Sequence, residues 1–166
     1  MAEVLIIRHA EPELRGVFLG SLDPGLSETG RVMAAEIVVP DDLNLYVSPK
    51  RRARETADAI RSGFQIVEGL REIDYGPWEG LSWKQIESQY PKESELKMQD
   101  WLGYTVPGAE PWAHFRKRVE MALMECTAPY AIVAHLAVNS VIQEIITGKP
   151  AYEFRQAYCE IVRLTL

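Results

Sequence analysis

Arg8 and His9 follow directly on the apolar run Val4–Ile7. A guanidinium beside an imidazole offers a planar cationic clamp and a nitrogen that can act as nucleophile or base. A second apolar run, Ala131–Ala134, delivers His135 in the same way. One histidine at the end of a strand is more often structural than chemical. Two such strands in one chain of 166 residues shift the balance toward a site. Between them lies Ser48-Pro49-Lys50-Arg51-Arg52-Ala53-Arg54-Glu55-Thr56-Ala57, which opens a helix with four basic residues. Basic charge in a first helical turn opposes the macrodipole. Arg51 and Arg54 have acidic partners four residues on, Glu55 and Asp58, whereas Arg52 faces only Thr56 at that spacing. An arginine placed against the dipole makes sense when it and the helix N-terminus share an anion such as phosphate.

The remaining chemical segment is Leu70-Arg71-Glu72-Ile73-Asp74-Tyr75-Gly76-Pro77-Trp78-Glu79-Gly80. It offers three carboxyl groups near an anion site, and a carboxyl kept protonated can give its proton to a leaving oxygen. Glu72 is the first candidate for that role, with Glu79 and Asp74 as alternatives. The third histidine, His114, opens an amphipathic stretch and is read as structural or superficial. A metal site made of His9, His114 and His135 has no short ligand spacing to support it.

The elements around these residues alternate. Strands are expected over Val4–Ile7, Asn44–Val47, Gln65–Glu68, Ala131–Ala134 and Glu160–Leu166. Helices are expected from about residue 28 to 38, with Ser27 as N-cap, and from 50 to 61, 83 to 89 and 115 to 126. A last helix carries Val138, Val141, Ile142, Ile145 and Ile146 on its apolar face and closes at Gly148. Pro91 is read as the stop of the helix at 83 to 89. Alternating βα units imply a three-layer α/β/α fold, with a mostly parallel sheet and helices on both faces. Residues 75–112 hold all four tryptophans and little periodicity, and are expected to form a small cap inserted over the strand ends. Those tryptophans suit a cap core first and an apolar, ring-bearing ligand second.

Bulk properties narrow the function. A chain of this length with 47% hydrophobic residues can bury a core as a single domain, 1–166. The net charge of −6 argues against nucleic acid and acidic membrane surfaces as partners. It also means that any anion site must be locally positive. No apolar run approaches the length of a membrane span, and Met1-Ala2-Glu3 lacks the basic start of a secretory signal. Cys126 and Cys159, far apart, are read as reduced thiols, which suits a cytoplasmic protein.

In this order the motifs resemble those of the histidine phosphatase superfamily, the phosphoglycerate mutase-like fold. Arg8-His9-Ala10 matches the family's Arg-His-Gly, and Ser48–Ala57 its Ser-Pro-x-x-Arg-Ala-x-x-Thr-Ala. Leu70–Gly80 matches Leu-x-Glu-x-x-x-Gly-x-Trp-Glu-Gly, and His135 falls on the histidine of Ser-His-Gly-Gly. Phe18, Gly20, Asp23, Leu26 and Gly30 sit where the family has its first loop, and Pro107-Gly108-Ala109-Glu110 resembles its Pro-Gly-Gly-Glu. The resemblance implies His9 as nucleophile and Glu72 as proton donor. It implies Arg8, Arg52 and His135 as phosphate ligands, with the backbone N–H of Leu136 at a helix N-terminus. No metal or other cofactor is called for, because the arginines do the cation's work.

Three departures stand out. Ala10 replaces a glycine and so requires an ordinary backbone conformation. Leu136-Ala137 replaces Gly-Gly after the second histidine. The loop Glu11–Phe18 is shorter than in mutases and lacks their Trp-Asn pair, leaving Arg15 as a candidate for the missing phosphate contact. The expectation is a phosphatase acting on a small phosphorylated metabolite, α-ribazole phosphatase-like or of broad specificity. Mutase-type phosphoryl transfer and a non-catalytic phospho-ligand binder are the alternatives, and a homodimer is left open.

Overall fold

A computed structural model describes all 166 residues. Five strands form one sheet: β1 (Glu3–Arg8), β2 (Asn44–Val47), β3 (Gln65–Ile66), β4 (Tyr130–Ala134) and β5 (Ile161–Thr165), in the order β3-β2-β4-β1-β5. All neighbours are parallel except β5, which runs antiparallel to β1. Six helices accompany them: α1 (Glu28–Ala35), α2 (Arg51–Ile60), α3 (Trp83–Gln89), α4 (Pro91–Gln99), α5 (Trp112–Leu123) and α6 (Leu136–Thr147). This is the expected α/β architecture. No helix is long and apolar enough to cross a membrane.

The period-2 geometry of a strand divides the core. Val4 and Ile6 join Tyr46, Ile132 and Ala134 on one face, under Phe115 and Val119 of α5 and Val138, Val141 and Ile142 of α6. Leu5 and Ile7 join Leu45, Val47, Ala131 and Val133 on the other, under Ala53 and Ala57 of α2. Both faces of β1 and β4 are therefore buried, which is why those strands read as unbroken apolar runs rather than as alternations. The connection after β1 leads toward the α1–α2 side, and the one after β4 toward the α6 side. Adjacent parallel strands whose connections part in this way create a crevice at their carboxyl ends. Arg8 pairs in register with Ala134, so His9 and His135 emerge together at that crevice.

Several boundaries differ from expectation. β3 is a two-residue edge strand, and Glu68–Leu70 is a 3₁₀ turn instead of strand. α1 stops at Ala35, where the chain begins its descent to bury Ile37 and Val39. α5 starts and ends about one turn early. The larger miss is α4. Pro91 does end α3, but it also occupies the first turn of a new helix, where the missing N–H costs nothing. Only Ser94 of α4 is fully buried, so no apolar stripe announced it. The cap is built on Trp78, Ile86 and Val106, with Phe18, Trp83 and Tyr104 packed around them.

Candidate active site

His9 is 5% exposed, and its Nδ1 lies 2.7 Å from the Ala10 carbonyl oxygen. A carbonyl only accepts, so Nδ1 carries the proton and Nε2 holds a free lone pair. Burial lowers the His9 pKa to about 3, with the charges of Arg52 and Arg8 adding to the effect against the Ala10 bond. The imidazole is therefore neutral at ordinary pH. Ala10 has no positive φ, is fully buried, and donates its N–H to Thr56 Oγ1 at 2.9 Å. Thr56 in turn donates to the Arg52 carbonyl at 2.7 Å, tying the loop after β1 to the first turn of α2.

Arg52 is wholly buried. Its Nη1 donates to the Leu22 carbonyl (2.9 Å) and Nη2 to the Leu19 and Gly20 carbonyls (3.1 and 3.3 Å). The loop that supplies those carbonyls is itself gathered by Glu79. Its carboxylate accepts the N–H groups of Gly20, Ser21 and Leu22 from that loop and of Tyr75 from its own turn. Gly20 must be glycine, because a Cβ there would collide with the Ile73 carbonyl oxygen. Glu79 thus fixes Arg52 at one remove, and its oxygens are occupied with backbone work.

Glu72 is 6% exposed and faces the same crevice. Its carboxyl accepts from the Ala137 N–H (3.2 Å) at the start of α6 and from the Ile73 N–H (3.1 Å). Burial raises its pKa above the usual carboxylate value, against those two bonds and the charges of Arg52 and Arg8. Arg8 donates Nη1 to the Gln156 carbonyl at 2.8 Å and lies 4.3 Å above the Tyr158 ring. The Gln156 side chain is anchored by the Ile6 and Glu160 carbonyls and by Asn139.

His135 lies edge-on to His9, ring centroids 5.2 Å apart, with Nε2 at 2.7 Å from Ser48 Oγ. Ser48 Oγ also accepts the Lys50 N–H at 3.3 Å, which fixes the hydroxyl between α2 and the His135 ring. Burial and the surrounding positive charges hold the His135 pKa well below its ordinary value. Nδ1 of His135 and the Nε atoms of Arg8 and Arg52 are buried without any partner. Buried polar atoms without a partner are costly unless something fills them. Here three belong to groups gathered around one neutral imidazole. Although the whole chain is acidic, two guanidinium charges and a carboxyl held toward its neutral form make this crevice locally positive.

The structure thus brings His9, Arg8, Arg52, Glu72 and His135 together. Leu136 opens α6 beside them and lines the pocket of about 380 Å³ in front of His9. Arg15 does not join them. Its side chain is 64% exposed and pairs with Glu11 at 3.4 Å, because the short loop turns it to solvent. Asp74 and His114 are both exposed, Asp74 accepting the Gly76 N–H. Sequence reasoning gave no role to Ser48 and Thr56, although the second motif contains both. It missed Gln156, Tyr158 and Asn139 altogether: Gln156 and Tyr158 meet Arg8 well over a hundred residues away, and Asn139 acts through Gln156.

Two buried neutral histidines make stability depend on pH. Their folded pKa values lie below the unfolded one, so the unfolded chain binds more protons below about pH 6.5, and stability falls as the pH drops. Glu72 acts oppositely: its raised pKa adds stability in acid that is lost as the pH rises through its folded value. His9→Gln should remove close to one proton from the slope of unfolding free energy between about pH 6 and pH 5. Urea denaturation at several pH values measures this, and an unchanged slope would mean that His9 is charged in the folded protein.

Fold and site together define an α/β protein with a locally positive pocket built around a neutral imidazole at the crevice between β1 and β4. Residues 4–166 match the family model of the histidine phosphatase superfamily (branch 1), and the chain belongs to that superfamily. Human 6-phosphofructo-2-kinase/fructose-2,6-bisphosphatase 4 is 29% identical over 168 aligned residues, 95% of this chain and 35% of the relative. The chain thus spans about a third of the length of the curated relatives it matches. Among solved structures, the α-ribazole phosphatase from Shigella flexneri superposes with a TM-score of 0.85 at 23% identity, covering 97% of this chain and 89% of that one. A Thermus thermophilus protein, TTHB049, gives 0.81 at 26% identity, covering 99% of both chains. The fold is phosphoglycerate mutase-like, as its resemblance implied.

Proposed function

We propose that this protein hydrolyses a small phosphomonoester through a phosphohistidine formed on His9. The observation that carries the reading is the set of buried, unpartnered nitrogen atoms of Arg8, Arg52 and His135 around a neutral His9 whose Nε2 is free. A phosphomonoester transfers its phosphoryl group through a transition state with charge on three equatorial oxygens, so positioning and cationic stabilisation dominate catalysis. The two guanidinium groups, His135 and the N-terminus of α6 supply that stabilisation. Nε2 attacks phosphorus in line, and the bond to the ester oxygen breaks. Protonated Glu72 gives its proton to the departing alkoxide. The resulting carboxylate takes a proton from water as the water attacks phosphohistidine, releasing phosphate and restoring the acid.

Hydrolysis is favoured over mutase transfer by the short loop Glu11–Phe18 and the small cap, which leave phosphohistidine open to water. α-Ribazole 5′-phosphate and simple aryl and alkyl phosphates are the first substrates to screen. Release of inorganic phosphate from p-nitrophenyl phosphate in the presence of a metal chelator tests the reading. Turnover under those conditions is expected. Its absence, together with phosphoryl transfer between positions of one metabolite, would favour the mutase. Binding of phosphate without either activity would make the protein a phospho-ligand binder.

A further inference from the structure

Behind the pocket at His9 lies a second and larger one, of about 560 Å³. Phe18, Tyr75 and Leu136 line both spaces and form the partition between them. The far space runs between the cap and the start of α6, and Trp78, Trp101, Trp112, Val106 and Phe154 are among its walls. Several of its polar groups already have partners within the protein. Lys97 Nζ donates to the Tyr104 carbonyl at 2.7 Å, and Arg155 Nη1 to the carbonyls of Tyr152 and Phe154. Glu110 is paired with Arg118 at 2.7 Å, and Asp74 accepts the Gly76 N–H. Burial further lowers the Lys97 pKa, weakening it as a cation. A pocket of this size takes a ligand group of drug-like bulk. Its walls reward apolar surface, and a hydroxyl-rich group would leave water with little to bond to in exchange.

We infer that this cavity receives the alcohol portion of the substrate, that this portion is an apolar ring or branched alkyl group and not a sugar, and that Leu136 selects for it. The inference rests on the phosphatase reading for its chemistry but not for its binding test. Leu136 is suited to the role because its two ends act separately. Its backbone opens α6 beside Glu72 and the pocket at His9, while its side chain stands in the partition and is only half-buried. A glycine there, as the family motif has, would merge the two spaces and remove the apolar contact next to the ester oxygen.

Cyclohexylmethyl phosphate and glucose 6-phosphate form a matched pair, both primary esters on a six-membered ring and differing mainly in hydroxyl groups. The expected kcat/KM ratio favours the cyclohexylmethyl ester by about 100-fold, in the range that sites of contrasting polarity achieve. Leu136→Ala should reduce the ratio about tenfold, through a weaker preference for the cyclohexylmethyl ester. Thr105→Phe, which fills the far cavity from a wall remote from His9, should reduce it through KM of the cyclohexylmethyl ester alone. A binding test needs no turnover: cyclohexylmethylphosphonate should quench or shift the fluorescence of the cavity tryptophans at concentrations about tenfold below those needed with methylphosphonate. Equal affinity of the two phosphonates, or preference for glucose 6-phosphate, overturns the inference even if p-nitrophenyl phosphate is hydrolysed. Selective phosphonate binding without any hydrolysis keeps the apolar subsite and overturns the phosphatase reading instead.

Discussion

His9→Ala is expected to lower phosphate release by about 10⁴-fold or more and to abolish the phosphoenzyme, since loss of a nucleophile removes a covalent route that the remaining groups cannot replace. The structure adds a regiochemical detail. With Nδ1 donating to the Ala10 carbonyl, only Nε2 can accept a phosphoryl group, so phosphorus NMR of trapped enzyme should show the Nε2-phosphorylated isomer alone. The clamp does not depend on His9. Arg8 is held by the Gln156 carbonyl, and Arg52 by the loop carbonyls of Leu19, Gly20 and Leu22. The alanine variant should therefore still bind inorganic phosphate. Turnover within about tenfold of wild type would make His9 a bystander.

Glu72→Gln should show its cost through the leaving group. An alkyl alkoxide needs a proton as it departs, and loss of the general acid is expected to lower its release by about 10²- to 10⁴-fold. p-Nitrophenolate leaves without help, so its release should persist as a burst, followed by slow hydrolysis of phosphohistidine for want of a base. The pH profile carries a second signature. Burial raises the Glu72 pKa, the protonated form is the working acid, and kcat for alkyl esters should fall as the pH rises through that pKa. The glutamine variant should lack this basic limb. Equal losses on alkyl and p-nitrophenyl esters would transfer the role to another group. Glu79 is a poor second, because its oxygens already accept four backbone N–H groups.

Much of this site was legible in the chain because its chemistry is local. Arg8-His9 and His135 each follow an apolar strand, and a parallel strand buried on both faces leaves few other patterns. Arg52 stood out as the one arginine in its turn without an acidic partner, and it is the one fully buried there. Arg51, by contrast, pairs with Glu55 at 2.6 Å, as its spacing indicated. Helix α4 was not legible, since a proline can end one helix and begin the next, and the pattern of an exposed helix is set by solvent rather than by a core. Arg15 was assigned from a gap in a motif, and a loop's course is not written in its length alone.

The sequence by itself determined the fold class and family and picked out His9, Arg8, Arg52, Glu72 and His135, because strand periodicity and motif order are properties of neighbours along the chain. Only the tertiary structure decided which groups hold those residues in place. Gln156 reaches Arg8 across 148 positions, Ser48 reaches His135 across 87, and Glu79 reaches the loop that fixes Arg52 across nearly 60. It also decided the protonation states, which follow from burial and from charges brought near by folding. It alone revealed the apolar cavity behind Leu136, a space bounded by parts of the chain that no local pattern connects.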